Sequence, residues 1–364
     1  MADYSAKIKE LEERIASTKY NKKTQAAIGQ YKAQIAKLKD TQENRGSAKA
    51  GGAGWEVRKT GDGTVILLGF PSAGKSTLLN ALTGARSEVG AYAFTTLTCI
   101  PGVMTYKHAK IQILDVPGIV KGAASGRGRG KEVLASMRSA DVCLVLLDAT
   151  RPHEYNVIVK EIYDTHIRLN QIRPDVKIVK TGKDGIKIGA TVKLTHLDEE
   201  TIVSVLKEFR INNADVVIRE DITVDQLIDC IENNKKYMPA LTVINKADLV
   251  TKTELKKIMK KYSGDIAISA QKEEGIPELR ELIFQKLDLI RVFMKEPQHP
   301  ADMEVPLIMF RNCTVEDVAN KLHRDFSKRL RFARVWGTSA KFEGQKVMHK
   351  HVMQDNDVIE MHLR

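Results

Sequence analysis

A glycine-rich segment carries residue types that could do chemistry, Gly69-Phe70-Pro71-Ser72-Ala73-Gly74-Lys75-Ser76, with the spacing G-x-x-x-x-G-K-[ST]. Its glycines let the backbone turn so that N–H groups point at phosphate oxygens, as in a P-loop. In such loops the lysine, here Lys75, reaches the β- and γ-phosphates, and the hydroxyl, here Ser76, binds Mg2+. The helix predicted from Thr77 onward would present its positive end to the same anion. The segment therefore predicts a site for a nucleoside triphosphate with Mg2+.

A second motif points to the base. Asn245-Lys246-Ala247-Asp248 has the spacing N-K-x-D and follows an apolar run at 241–244. The Asp248 carboxylate can accept hydrogen bonds from N1–H and the exocyclic amine of guanine, a donor pair that adenine lacks. Ser269-Ala270, with Gln271 after it, matches the small-residue loop whose backbone contacts guanine O6. These segments favour guanine and argue against the alternative of an ATPase.

A third group of residues could sense the γ-phosphate. Asp115-Val116-Pro117-Gly118 has the spacing D-x-x-G after an apolar run at 111–114. Asp115 would act on Mg2+ through water, and the Gly118 amide would meet the γ-phosphate in one nucleotide state only, which makes a switch. Phe94-Thr95-Thr96 lies between the P-loop helix and this strand. One of its threonines should close over the γ-phosphate and complete the Mg2+ shell.

Ile119 stands directly after the D-x-x-G motif, where Ras-type enzymes carry the glutamine that orients the attacking water. An aliphatic side chain cannot orient water. Hydrolysis would then need another group, a monovalent cation or a partner, and we expect a slow intrinsic rate. The loop at 121–131 holds four glycines and four basic residues, and it is either a mobile solvated loop or a switch that orders on binding.

The elements that must position these residues are predicted from apolar periodicity. Short, wholly apolar runs at 65–68, 111–114, 142–147 and 241–244, with helices between them, are typical of a parallel sheet covered on both faces. Between the last two runs lie about 90 residues, more than one crossover helix needs. This stretch alternates like a β-hairpin at 176–194 and is then helical at 198–211 and 223–233, which indicates an inserted α+β subdomain.

The two ends of the chain read as separate units. Residues 4–39 show two apolar stripes at helical spacing with a break near 20–24, and 41–54 reads as a flexible linker. At the other end, strands near 305–310 and 357–363 flank a helix from Thr314 to about Leu322. The predicted fold class is α/β, a P-loop domain with three additions. We expect a helical domain at 1–50, a nucleotide-binding domain at 62–151 and 237–295, an inserted subdomain at 152–236 and a C-terminal domain at 300–364.

Composition bears on partners and compartment. The formal net charge is +12, and the first 50 residues hold eleven Lys or Arg against six Asp or Glu. Five basic residues, Arg324, Lys328, Arg329, Arg331 and Arg334, cluster near the C-terminus. These features fit either an ordinary basic protein or a polyanion partner such as RNA or a ribosome surface. The four cysteines are far apart without metal spacing, and no apolar run reaches about 18 residues. We therefore expect a cytoplasmic protein without a membrane partner.

Several segments resemble those of the Obg-related GTPases: G-F-P-S-x-G-K-S-T-L-L, A-Y-x-F-T-T-L-T, D-V-P-G-I and G-x-G-R-G. Nearly the whole chain resembles one branch, the developmentally regulated GTP-binding proteins. The resemblance implies a GTPase that works with Mg2+ and associates with ribosomes, and whose eukaryotic members have a zinc-finger partner protein. It implies Thr96 as the Mg2+ ligand of its segment, so the candidate catalytic residues are Lys75, Thr96 and Gly118.

The same resemblance implies an N-terminal helix-turn-helix domain, an insertion akin to the second domain of a small-subunit ribosomal protein, and a C-terminal β-grasp (TGS) domain. Relatives are often stimulated by K+, and potassium-dependent GTPases commonly use a P-loop asparagine where this chain has Ser72. Many relatives carry lysine where this chain has Gln271. An alternative stays open at this point: an RNA- or ribosome-binding adaptor in which the nucleotide is mainly structural.

Overall fold

A computed structural model describes residues 4–19, 21, 24–45, 61–84, 100–115 and 137–363. The chain divides into two compact units. The first contains the N-terminal helices and Ile162–Tyr237, and the second contains the described residues from Gly61 to Glu161 and from Met238 onward.

Helices and strands are numbered in chain order. The helices are α1 (Tyr4–Ser17), α2 (Gln25–Arg45), α3 (Lys75–Thr83), α4 (Glu154–Asp164), α5 (Glu199–Glu208), α6 (Val224–Glu232), α7 (Lys252–Lys261), α8 (Ile276–Lys286), α9 (Val315–Leu322) and α10 (Arg324–Arg329). The strands are β1 (Gly63–Leu68), β2 (Ile100–Tyr106), β3 (Ala109–Asp115), β4 (Val142–Asp148), β5 (Ile167–Leu169), β6 (Val176–Lys180), β7 (Ile186–Ala190), β8 (Ala214–Ile218), β9 (Lys236–Met238), β10 (Ala240–Asn245), β11 (Ile266–Ala267), β12 (Leu289–Lys295), β13 (Ala301–Phe310), β14 (Leu330–Trp336), β15 (Gln345–Val347) and β16 (Asp357–Leu363).

A six-stranded sheet forms the centre of the second unit, in the order β11-β10-β4-β1-β3-β2. Every residue of β1, β4 and β10 is buried, because both faces of these strands are covered and the runs contain almost only apolar side chains. The predicted parallel sheet is confirmed, since β1, β3, β4, β10 and β11 pair in parallel. β2 was not predicted, and it pairs antiparallel to β3 at the edge.

The helix after the P-loop packs onto this sheet by one face. α3 buries three leucines, Leu78, Leu79 and Leu82, in the same apolar cluster as strand residues Val65 and Leu144. Fully burying a leucine contributes roughly 1.5–3 kcal/mol, so these three side chains hold the helix firmly against the sheet. Its first residue is therefore held at the carboxyl end of β1.

A five-stranded sheet forms the C-terminal domain, in the order β13-β12-β16-β14-β15. β12 lies before residue 300, where the sequence predicted this domain to start, but its side chains Ile290 and Val292 pack with those of α9 in one apolar cluster. The predicted helix and final strand are confirmed. Thr314 caps α9 in a capping box with Asp317, which explains why the helix begins there.

The first unit contains a three-stranded sheet in the order β6-β8-β7. The predicted hairpin of 176–194 is wrong, because β6 and β7 do not pair with each other. β8 lies between them, antiparallel to β6 and parallel to β7. β8 buries Ala214, Val216 and Ile218, whereas β6 and β7 contain no buried residue. The strand with the most buried apolar side chains takes the central position, where burial is greatest.

Helices complete the first unit. The predicted pair of N-terminal helices is confirmed as α1 and α2, and the predicted helices of the insertion as α5 and α6. The linker predicted for 41–54 is wrong at its beginning, since α2 continues to Arg45; residues 46–54 lie outside the described part of the chain. α4 begins at Glu154, and the part of the insertion that belongs to the first unit begins at Ile162, later than the predicted boundary at 152. In the described residues no helix is long and apolar enough to cross a membrane.

Candidate nucleotide-binding site

The predicted motifs of the described chain meet at one edge of the six-stranded sheet. β1 leads into the P-loop, β3 ends at Asp115, and β10 ends at Asn245. Because these strands run parallel, their carboxyl ends lie at the same edge, which is where open α/β sheets bind ligands. Residues far apart in sequence therefore come together without any long side chain having to reach across the sheet.

The P-loop backbone requires its glycines. A Cβ atom on Gly69 would lie 2.7 Å from the carbonyl oxygen of Leu146, and one on Gly74 would lie 2.4 Å from Nδ2 of Asn245. Gly74 also has φ 91°, in the left-handed region that other residues rarely adopt. Ser72 adopts φ 67° without being glycine. Pro71 and Ser72 are exposed, and Ala73 is buried. The tight loop of the sequence prediction is thus present.

Lys75 is the first residue of α3. Its ammonium donates to the carbonyl oxygens of Gly69, at 3.0 Å, and Phe70, at 3.2 Å. Burial lowers the pKa of Lys75, while the negative charge of Asp115 acts in the opposite direction. The cation is therefore held at the loop by weak neutral acceptors, for which the charged oxygens of a phosphate are stronger replacements.

Two side chains at this edge of the sheet, Ser76 and Asp115, carry oxygen atoms that suit Mg2+. The Ser76 hydroxyl donates to Asp115 Oδ2 at 3.2 Å, and Asp115 is 5% exposed. Asp115 Oδ1 is buried and has no hydrogen-bond partner in the described structure. A buried carboxylate oxygen without a partner is costly unless a ligand satisfies it, and hard oxygen donors suit Mg2+. Ser76 and Asp115 therefore fit the metal predicted from sequence.

Asn245 connects the three loops of the site. Its Nδ2 donates to the Ala73 carbonyl oxygen of the P-loop at 2.8 Å. Its Oδ1 accepts from the Ala270 amide at 3.0 Å. The Ala270 amide belongs to the segment whose backbone the sequence predicted to contact guanine O6, and it is hydrogen-bonded to Asn245. This side chain fixes the base-binding segments relative to the phosphate-binding loop.

Asp248 lies in a single 3-10 turn, Ala247–Leu249. A hydrogen bond from Ser269 is the main reason that the pKa of Asp248 is lowered, and Lys272 acts in the same direction. Lys272 Nζ lies 3.4 Å from Asp248 Oδ2, and Gln271 is exposed beside it. The carboxylate is therefore ionised at neutral pH and can accept two hydrogen bonds, as the prediction for guanine requires.

Sequence reasoning missed Asp148, the last residue of β4. Its side chain is fully buried, and Oδ2 accepts from Lys246 Nζ at 2.6 Å. Burial alone would raise the pKa of Asp148, but hydrogen bonds from Lys246 and Thr150 outweigh it and lower the pKa to about 2. The signal in the sequence was a carboxylate directly after the apolar run 142–147.

Six predicted site residues lie outside the described residues: Phe94, Thr95, Thr96, Val116, Pro117 and Gly118. Ile119 and the glycine-rich segment 121–131 lie outside as well. The described part of the site therefore comprises the P-loop, Thr77 at the start of α3, Asp115 and the two base-binding segments.

Three family models match the chain. The model described as a 50S ribosome-binding GTPase matches residues 64–180, and the C-terminal region of the same domain type matches 183–289. The TGS domain matches residues 290–362. The TGS match begins within β12, and the structure likewise places β12 in the five-stranded C-terminal sheet.

Full-length relatives agree with these matches. The chain is 49% identical to a GTP-binding protein of Methanocaldococcus jannaschii over 97% of this chain and 91% of that protein. It is 42% identical to Developmentally-regulated G-protein 3 of Arabidopsis thaliana over 99% of both chains. It is 41% identical to Ribosome-interacting GTPase 1 of Saccharomyces cerevisiae over 97% of both. On this evidence, and on the P-loop and N-K-x-D geometry, the chain is a GTP-binding protein that belongs to the family of developmentally regulated GTP-binding proteins.

Proposed function

We propose that the chain hydrolyses GTP to GDP and phosphate with Mg2+, and that its nucleotide state controls association with the ribosome in the cytoplasm. The observation that carries the proposal is the meeting of Lys75, Ser76 and Asp115 beside a loop that fits guanine. A cation, a hydroxyl and a partnerless carboxylate oxygen are the groups that a γ-phosphate and its metal need.

Each residue of the site would have its own role in binding and hydrolysing GTP. Lys75 would leave its two carbonyl acceptors for the β- and γ-phosphate oxygens and stabilise the charge that develops on them. Ser76 and Thr96 would bind Mg2+ directly, and Asp115 through water. When bound, Mg2+ neutralises phosphate charge. The Gly118 amide would contact the γ-phosphate and report its loss, while Asn245 and Asp248 would hold the base.

An association with ribosomes is supported by charge and by relatives. One relative is named for interacting with ribosomes, and the matching GTPase model is described as ribosome-binding. The five basic side chains between Arg324 and Arg334 are all exposed, on α10 and β14. An exposed basic cluster on a chain of net charge +12 suits the phosphates of RNA.

The test is the rate of GTP hydrolysis by the purified chain, with and without ribosomes, in K+ and in Na+. Lys75→Ala is the control for the site. Because Ile119 cannot orient water, we expect a slow rate alone, well below about 1 per second, and clear stimulation by ribosomes. A wild-type rate that equals the Lys75→Ala rate under all conditions would refute the hydrolysis proposal.

The comparison of hydrolysis in K+ and in Na+ tests whether K+ is a cofactor besides Mg2+. Stimulation by K+ but not Na+ would support K+ as a cofactor, even though Ser72 stands where asparagine is common. A rate that changes only with the cation and never with ribosomes would mean that the catalytic groups are all in this chain.

A second candidate is an RNA- or ribosome-binding adaptor in which the nucleotide is mainly structural, and the exposed basic cluster favours it. Co-sedimentation with ribosomes separates the two functions. The switch predicts binding that differs between the GTP- and GDP-bound chain and falls with rising salt. Equal binding in both nucleotide states and by Lys75→Ala would support the adaptor, and no binding in either state would refute both.

A further inference from the structure

Asp148 is a buried carboxylate next to the base-binding motif, and the proposed chemistry does not use it. It is the last residue of β4, and in the parallel register it lies opposite Asn245, the first residue of the N-K-x-D motif. The amide of the next residue, Ala149, donates to the Asn245 carbonyl oxygen at 3.0 Å. The ends of β4 and β10 are thus joined where the base-binding motif begins.

Four hydrogen bonds satisfy the Asp148 carboxylate. Oδ1 accepts from the amide of Thr150 at 2.9 Å and from its hydroxyl at 2.6 Å. Oδ2 accepts from Lys246 Nζ at 2.6 Å and from Arg151 Nη2 at 3.3 Å. The Thr150 bonds hold one oxygen in place, so the other is presented to Lys246. A buried charge held in this way acts as a fixed anchor for a cation.

Lys246 needs such an anchor because of its backbone. It adopts φ 61°, ψ 35°, in the left-handed region that costs a residue with a side chain about 1–2 kcal/mol. This conformation turns the chain between Asn245 and the 3-10 turn that contains Asp248. The amide of the next residue, Ala247, donates to the Ile268 carbonyl oxygen at 3.0 Å. Two contacts therefore hold this part of the chain. Asp148 binds the side chain of Lys246, and Ile268, the residue after β11, binds the amide of the next residue, Ala247.

We propose that Asp148 is a positioning residue for guanine: by fixing Lys246, it holds Asn245 and Asp248 in the arrangement that receives the base. The proposal rests on the guanine-nucleotide site described above. Without the anchor, the nucleotide itself must order the turn, and the entropy lost in doing so is subtracted from binding. The effect acts at the base, so GDP and GTP should weaken by the same factor.

The experiment compares dissociation constants for GDP and IDP in four proteins: wild type, Asp148→Asn, Lys246→Met and the double variant. IDP lacks the exocyclic amine that Asp248 would accept from, so the GDP:IDP preference measures how well Asp248 is placed. We expect Asp148→Asn and Lys246→Met each to weaken GDP about tenfold, the size typical of coupled neighbours. The double variant should be no weaker than the weaker single variant, and the GDP:IDP preference should fall in all three.

Two further variants separate positioning from stability. Asp229→Asn removes another buried carboxylate, which pairs with Arg168 in the first unit at 2.6 Å. It should change the unfolding transition but leave GDP affinity unchanged. Lys246→Arg keeps a cation opposite Asp148 and should bind GDP more tightly than Lys246→Met, which tests the pair even if Asp148→Asn does not fold.

The outcomes distinguish this inference from the proposed function. Failure of the wild type to bind GDP would refute the nucleotide site itself. Wild-type GDP affinity and GDP:IDP preference in a folded Asp148→Asn protein would overturn the positioning role alone. Additive losses in the double variant would also overturn it, because two residues that act through one bond cannot lose it twice. Equal affinities of Lys246→Arg and Lys246→Met would do the same.

Discussion

Replacing Gly74 by alanine should damage the nucleotide site through Asn245. The new Cβ would lie 2.4 Å from Asn245 Nδ2, a distance that real Cβ contacts do not show. Either the P-loop or the Asn245 side chain must move, because Nδ2 belongs to a short side chain whose nitrogen and oxygen are both hydrogen-bonded. The substitution therefore separates the phosphate-binding loop from the base-binding loops.

The expected loss of nucleotide affinity follows from the hydrogen bonds of Asn245 that the substitution breaks. Asn245 makes two buried hydrogen bonds here, and each contributes about 0.5–1.5 kcal/mol net. If binding requires the loops in this arrangement, about 1–3 kcal/mol of the nucleotide's binding free energy is used to restore it, which lowers affinity roughly 5- to 150-fold. Left-handed φ adds about 1–2 kcal/mol of backbone strain to the free energy of folding.

The assay is GDP affinity by fluorescence of a labelled nucleotide, with Gly185→Ala as the matched control. Gly185 also has a left-handed φ of 73°, but nothing lies within 4 Å of its Cβ position. The control should lose stability from strain and keep full affinity. The reasoning would be refuted by a folded Gly74→Ala protein that binds GDP as tightly as the Gly185→Ala protein does.

Two other predictions concern charged groups. Asp115→Asn should bring the ratio of GTP affinities with Mg2+ and with EDTA close to one, because the neutral amide holds a metal-bound water poorly; an unchanged ratio would exclude Asp115 from the metal site. Hydrogen bonds from Lys107 and Tyr106 lower the pKa of Glu281 from 4.5 to about 2. Its contribution to stability is then complete above about pH 4.5 and is lost as pH falls toward 2. The melting temperature of Glu281→Gln should lie below that of wild type at pH 6, and the gap should narrow between pH 4.5 and 3; a constant gap would contradict this assignment.

Local sequence was sufficient for the parallel strands β1, β3, β4 and β10 of the central sheet and for the motifs on its edge. The runs at 65–68 and 142–147 are apolar at every position, a pattern typical of a strand that is covered on both faces. Because each motif directly follows such a strand, its place at the carboxyl edge followed from parallel pairing. The helix after Thr314 was similarly predictable, since its cap lies within four residues of sequence.

Features that depend on distant partners were not predictable from local patterns. β12 reads as one more apolar run, and its place in the C-terminal sheet depends on pairing with β16, more than sixty residues later. Asp148 and Lys246 are 98 residues apart, so no spacing rule connects them. Alternation at 176–194 correctly indicated two strands, but it could not show that a third strand would separate them.

The order β6-β8-β7 has a consequence for the synthesis of the chain. The two strands made first are the outer ones, and among the described residues each pairs in this sheet with β8 alone, which is made last. Residues Val176–Ala190 therefore leave the peptidyl-transferase centre without a partner to pair with, and the sheet can close only after Ile218 is made. Non-local pairing of this kind delays folding, because the loop entropy is lost before the contacts are gained. During elongation, the two outer strands therefore remain unpaired within this sheet until the last of the three strands emerges.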